Sequence, residues 1–364
     1  MAWLTGWNRR KSKIISGTTA GAQTNYQLQL TIYNGSGTDT NTTVYLGGNC
    51  RSDFGDVRFT SSNGSTLLDY WIESFTSGVS AIVWIKIDSI PASPSQATIY
   101  VYYDNPSAIS LSNGTNTFDF FDDFDGTSLD PKWTVDSNVT TYSVSGSKIT
   151  ITGVSGSWGL LKGIHASFPL ANSYIVEVKD FTWSDNSKTP ITIRGIGLYP
   201  ASPSGWTDGC TAENNDSWTG NSGSYETYIN TVQGYWTGQG TAGLSGTMQF
   251  KFLKDATTSS IYINGTLRDG PDSDTRSTTQ IYMLLQAYGS PYSWSGNATF
   301  DRILAHKYSS PEPAWSTTGT EEVFTCNTPS ANLIVLEILS IQLSRQYPSY
   351  IDIDTISKFL NNYR

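Results

Sequence analysis

Between Tyr199 and Trp236 the sequence interleaves flat aromatic side chains with short polar ones. Trp206, Trp218, Tyr225, Tyr228, Tyr235 and Trp236 stand among Asp208, Asn214, Asn215, Asp216, Asn221 and Glu226. A sugar ring has apolar C–H faces and a hydroxyl rim, so aromatic planes beside amide and carboxylate acceptors suit it. Tyr288, Tyr292 and Trp294 add a second patch of the same kind. The residues expected to touch a saccharide or receptor are therefore Trp206, Trp218, Tyr225, Tyr235, Trp236, Asn214, Asp216, Tyr292 and Trp294. The competing account is structural: in a long Gly- and Ser-rich loop, large rings form a satellite core that holds the loop down.

Acidic residues form the other candidate group. Asp119, Asp122, Asp123 and Asp125 crowd one short segment, and calcium takes several carboxylate and carbonyl oxygens. With Asp301 from a later strand, Asp122, Asp123 and Asp125 make a candidate clamp for a structural calcium ion, which would have no catalytic part; no cofactor is required. The simpler account leaves these acids as solvated turn residues. Glu73 follows Trp71 by two and shares its side of a strand. It is expected to pair with Arg58 or Arg51 across the sheet. No G-x-S-x-G, H-E-x-x-H or G-x-x-x-x-G-K run occurs, so the usual hydrolase, zincin and P-loop chemistries lack their parts. His165 and His306 are the only imidazoles, and each reads as a partly buried strand residue.

The elements that must position these residues are strands. The 364 residues are 13% aromatic and only 15% charged, with 33 glycines, a composition that supplies a core and excludes a disordered chain. Tyr26–Tyr33, Val57–Thr60, Tyr70–Phe75, Ala81–Ile87 and Thr98–Tyr103 are short β-branched and aromatic runs separated by turn formers. A second series comprises Lys148–Thr152, Tyr174–Phe181, Ile191–Leu198, Thr247–Leu253, Ser260–Ile263, Gln280–Gln286 and Thr299–Lys307, with Asn264-Gly265 as a hairpin turn. Helical periodicity appears only at the end, where Leu333 to Leu343 is apolar nearly all round and too short to span a bilayer. The net charge of −9 offers no basic field for nucleic acid. Three distant cysteines, Cys50, Cys210 and Cys326, exclude a disulfide framework.

Residues 1–110 resemble a domain family of unknown function from archaeal, bacterial and viral surface proteins, usually found upstream of concanavalin-like modules. The likeness rests on Trp7-Asn-Arg-Arg-Lys11, Phe54-Gly-Asp-Val-Arg-Phe-Thr60, Leu68-Asp-Tyr-Trp-Ile-Glu73, Val83-Trp-Ile-Lys-Ile87 and Ile99-Tyr-Val-Tyr-Tyr-Asp-Asn105. Residues 118–324 resemble the concanavalin A-like lectin and glucanase (laminin-G-like) superfamily. The segments that carry this are Phe121 to Trp133, Ile261-Tyr-Ile-Asn-Gly-Thr-Leu267 and Phe300-Asp-Arg-Ile303. Glycoside hydrolases of that superfamily place two or three carboxylates on one strand, and this chain has no Glu-x-Asp-x-x-Glu.

The expected architecture is all-β: two tandem β-sandwiches, the second a concanavalin A-like jelly roll, with a short α-helical C-terminal tail. The modules span 1–110 and 118–324, joined by a linker at 111–117 and followed by a tail at 325–364 for docking or assembly. Missing catalytic carboxylates and aromatic-rich loops point to a non-enzymatic, adhesive or glycan-binding protein that forms a homo-oligomer or larger assembly through its tail, without a membrane span. The rival is a polysaccharide-degrading enzyme using Glu213, Asp216 or Glu226; a structural filament or lattice subunit is a third reading. Eight Asn-x-Ser/Thr sites agree with an extracellular location. A start at Met1 with no signal-length apolar run tilts the expectation toward a virion surface, as a tail, fibre or capsid-decorating component.

Overall fold

The computed structural model describes residues 2–137, 139–154, 163–167, 173–184, 192–201, 203, 205, 208–215, 224–236, 245–287 and 297–324. The expected helical tail at 325–364 lies outside them. Within them the protein is two β-sandwiches, and the one helix is a single turn, Gly114–Thr117. Among the described residues no helix is long and apolar enough to cross a membrane.

In the first sandwich, Gln23–Tyr33 pairs antiparallel with Ser80–Ile90 in a four-stranded sheet completed by Thr43–Tyr45 and Tyr70–Thr76. Period-two alternation turns Leu28, Leu30 and Ile32, with Val83, Ile85 and Ile87, onto one core. The facing sheet is built on Arg9–Ser16, a strand rich in basic residues. Lys13 is in fact fully buried, its ammonium donating to the carbonyls of Thr40 and Ser316 and to Thr318 Oγ1. Burial pushes its pKa down to about 8.

That sheet also corrects the domain boundary. Ala314–Thr318 and Glu322–Val323, assigned by sequence to the second module, both pair with Arg9–Ser16 in the first. Trp315 joins the first core and donates from Nε1 to the Gln29 carbonyl at 2.6 Å. The chain leaves the first sandwich, builds the second and returns to close the first.

The second sandwich stacks a nine-stranded sheet on a seven-stranded one. Phe181 sits at its centre with Trp183, Phe250 and Phe300 rings 5.1–5.5 Å away. Asn264 and Gly265 both take positive φ, 50° and 76°, in the tight hairpin between Thr258–Ile263 and Thr266–Ser273. The single strand expected over Thr299–Lys307 is broken at Asp301. Asn297–Phe300 pairs with Ile149–Val154, whereas Arg302–Lys307 pairs with Phe120–Asp122.

The modules meet through an aromatic contact. Trp71 and Trp84 face away from the first core and lie against Phe118, Phe121 and Leu304. The intended linker takes part: Asn113 Oδ1 caps the one-turn helix by accepting from Asn116 N, and a Cβ on Gly114 would fall 2.3 Å from the Phe121 ring. Glu73 pairs with neither Arg58 nor Arg51. Arg51 bonds Asp53, and Arg58 is taken by backbone carbonyls and Tyr70. Glu73 instead accepts from Arg302 of the second module at 2.7 Å and from Trp84 and Gln29 at 2.9 Å each. The strand side it shares with Trp71 is the junction side.

His306 completes this contact, its ring 4.9 Å from that of Trp84. Burial lowers its pKa to about 4 from the ordinary 6.5. The unfolded chain therefore takes up a proton that the folded one refuses. Stability from this residue is full above pH 6.5 and falls by on the order of 3 kcal/mol as the pH drops toward 4. Glu177 and Asp119, whose pKa values burial raises, act with the opposite sign. The difference between wild type and His306→Phe in urea unfolding isolates the histidine. Parallel acid profiles for the two proteins would refute the assignment.

Candidate functional site

The seven-stranded sheet runs in the order Val232–Trp236, Ser224–Ile229, Cys210–Asn215, Thr192–Tyr199, Gln280–Ala287, Gly163–Ser167, Trp133–Val135. Its inward residues, among them Ile196, Leu198, Ile281, Met283, Ile164 and Ala166, enter the core. Alternation therefore carries His165, Tyr282, Leu284 and Tyr199 to the opposite face, where Tyr199, Tyr282 and Leu284 form a separate buried cluster.

This face holds a row of rings. His165 stacks on Tyr282 at 4.6 Å and 19°, and Tyr282 meets Tyr199 edge-on at 5.5 Å and 85°. Tyr199 lies flat because its neighbours are small: a Cβ on Gly197 or Gly209 would fall 2.4 or 2.5 Å from the ring. Its hydroxyl shares a hydrogen bond with Thr211 at 3.1 Å. At one end, Asp136 Oδ1 lies 3.3 Å from His165 Nδ1, while Asp136 Oδ2 accepts from Gly163 N. Burial, followed by the charge of Asp136, pushes the Tyr282 hydroxyl up to about 12. Toward the other end, Glu226 Oε2 accepts from Tyr228 at 2.8 Å and from Gln233 Nε2 at 3.3 Å. The strand register sets Glu213 opposite Glu226 and Asn214 opposite Tyr225.

A partly exposed imidazole backed by buried rings, with carboxylates and an amide farther along the same face, offers stacking and hydrogen-bonding groups of the kind an oligosaccharide uses. Asp136 beside His165 has the first two parts of an acyl-transfer triad, but among the described residues no hydroxyl or thiol hydrogen-bonds the imidazole to complete it.

Of the residues expected to touch a saccharide, Trp206, Trp218, Asp216, Tyr292 and Trp294 lie outside the described residues, as do the side chains of Asn214, Tyr225 and Trp236. The backbone register places Trp236 opposite Glu226. Tyr235 is corrected. It packs on the core between the sheets, with the Arg268 guanidinium 4.8 Å from its ring, because its neighbours at Glu226 and Tyr228 occupy the other face.

The calcium clamp is also corrected. Among the described residues no three His, Cys, Asp or Glu side chains gather to hold a metal ion. Asp122 Oδ2 accepts from Trp133 Nε1 at 2.6 Å and lies 3.0 Å from Lys132 Nζ, while Oδ1 accepts from Phe124 N. Asp125 accepts from Gly126 N. Asp301 faces Lys148 at 3.8 Å, and burial raises the pKa of Asp123. The oxygens of Asp122 serve to lock the opening segment onto Trp133.

The residues that sequence reading passed over are Tyr282 and Asp136. Tyr282 was visible as the polar-edged ring between two inward apolar residues, Ile281 and Met283. Asp136 was not, since its place beside His165 depends on the pairing of two strands distant in the chain.

A β-sandwich joined to a jelly-roll-like sandwich that carries an aromatic and carboxylate face is the class of protein defined by these features. The family described as a domain of unknown function (DUF2341) matches residues 53–136. That match begins within the first sandwich and ends at the first strand of the seven-stranded sheet. No curated protein sequence matches the chain. Among solved structures, the GH43 BlXynB protein from Bacillus licheniformis is similar at 13% identity and a TM-score of 0.37, covering 60% of this chain and 50% of its own. The chain thus spans about half the length of that protein. The β-glucanase of Bacillus licheniformis is similar at 12% identity and a TM-score of 0.35, covering 52% of this chain and 98% of its own. The laminarinase from Rhodothermus marinus is similar at 9% identity and a TM-score of 0.35, covering 53% and 97% respectively.

Proposed function

We propose that this is a non-enzymatic surface protein that binds a glycan on the outer face of its seven-stranded sheet. What carries the reading is the row of rings on the face of the sheet away from the main core, where His165 is partly exposed and is held from beneath by the buried Tyr282 and Tyr199. Asp136 at one end and Glu226 with Gln233 at the other supply the acceptors and donors for ring hydroxyls. The protein acts outside the cell or on a virion as an adhesive, fibre or decorating component. Its apolar 333–343 segment serves homo-oligomer or larger assembly, and its partner is a surface glycan or host receptor.

Glycan-array binding tests this. Tyr282→Ala is expected to weaken glycan binding by about tenfold, because it removes the ring on which the partly exposed His165 stacks. Glu226→Gln, which keeps the shape, is expected to weaken it less. Undiminished binding in Tyr282→Ala would remove the site from this face. The opposition of Glu213 and Glu226 favours one rival, a hydrolase with a glutamate pair. Turnover of the bound polysaccharide that disappears in Glu226→Gln would replace the binding role with a catalytic one.

A further inference from the structure

The outer face of the nine-stranded sheet is only partly covered by the first sandwich. Beside the Trp71–Leu304 contact it opens into a groove of about 350 Å³, walled by Glu73 and Arg302 on the junction side and floored by Glu177, Lys179, Gln249 and Lys251. These residues reach one face by alternation. Val176, Val178, Phe250 and Phe252 turn into the core, leaving the residues between them outside. Register sets Glu177 opposite Lys251 and Lys179 opposite Arg302.

Among the described residues, several polar groups of the groove lack a hydrogen-bond or ion-pair partner. Among the described residues no hydrogen bond reaches the Glu177 carboxyl, and neither Lys179 nor Lys251 is in an ion pair within 4 Å. Lys251 Nζ instead rests 4.1 Å from the centroid of Tyr262. Arg302 is 7% exposed and spends one nitrogen on Glu73, while its Nε is buried and has no hydrogen-bond partner among the described residues. Glu73 is already balanced by Arg302, which leaves two lysines against one carboxyl whose pKa is raised by burial and by Glu73. On a chain of net charge −9 the lining of this groove carries one positive charge in excess. Asp180 stands nearby, held by Gln249 at 3.4 Å.

We propose that this groove is a second ligand site, specific for a carboxylate-bearing saccharide unit. Lys179 and Lys251 take the acid group, and Glu177 meets the hydroxyls. The site is separate from the aromatic row on the seven-stranded sheet and does not depend on it.

Calorimetric titration of the full chain with trigalacturonate and with the neutral galactose trimer tests the assignment. The acidic trimer is expected to bind at least about tenfold tighter than the neutral one, as one charged hydrogen bond provides. Lys179→Met with Lys251→Met should erase that preference at an unchanged unfolding midpoint. If the double variant does not fold, Lys179→Met alone reads the same loss. Glu177→Gln and Tyr282→Ala should both retain the preference, the latter distinguishing this groove from the aromatic face. Equal affinity for the two trimers, no binding of the acidic one, or a preference that survives loss of the lysines would overturn the proposal.

Discussion

Glu73→Ala is expected to lower the unfolding free energy by about 3 kcal/mol, because it strips the partner from a buried guanidinium. The Arg302 side chain is 8% exposed and Glu73 18%, so the pair is far from a solvated surface bridge. Glu73 also accepts from Trp84 and Gln29, and two of the three donors come from its own module. Removing the carboxylate leaves those donors and one charge facing each other across the junction. Arg302 would keep its position over Trp71, 5.0 Å from the ring, but with its charge uncompensated. Replacing both Glu73 and Arg302 by Leu should recover most of the loss, since a buried ion pair exchanged for apolar side chains is often neutral in stability. Urea denaturation of the single and double variants measures both effects. A single-variant cost below about 1 kcal/mol would class the pair with exposed bridges and deny it any part in holding the modules together.

Trp315→Ala is expected to cost about 3–5 kcal/mol, and the loss should fall on the first sandwich. The indole is 6% exposed, lies in the first core and bonds the Gln29 carbonyl. Around it the returning segment is fastened by Tyr26 to Glu312 at 2.9 Å and by Arg10 to Glu322 at 2.7 Å. Hydrogen exchange locates the effect. Amide protection should fall in Ser80–Ile90 and remain in Ser245–Asp255, the central strands of the two modules. The opposite distribution would return residues 314–323 to the second module.

Much of the strand inventory was legible. Gln23–Tyr33 alternates over Tyr26–Ile32 because one face is core, Ser80–Ile90 is apolar on both faces around Trp84 because its second face meets the other module, and Asn264-Gly265 marks a turn whose backbone angles favour those two residues. Arg9–Ser16 was not legible. Its Arg10 and Lys13 look solvated until the acceptors that bury them, Glu322, Thr40, Ser316 and Thr318, are brought in from hundreds of residues away or from a separate loop. The same holds for Glu73, whose partner lies in the other module. Asp122 was noticed for its charge, but its role was misread because Trp133 and Lys132 compete successfully for its oxygens.

By itself, then, the sequence determined that the chain is all-β and that it divides into two strand-rich units. Those properties follow from side-chain periodicity and turn chemistry, which act over a few neighbouring residues. The tertiary structure decided that the last described strands belong to the first sandwich. It also decided that Glu73 and Arg302 fasten the junction, and which rings line one face. Each of these depends on charges and planes meeting across long separations in the chain, where burial sets the worth of a contact and local pattern carries no record of the partner.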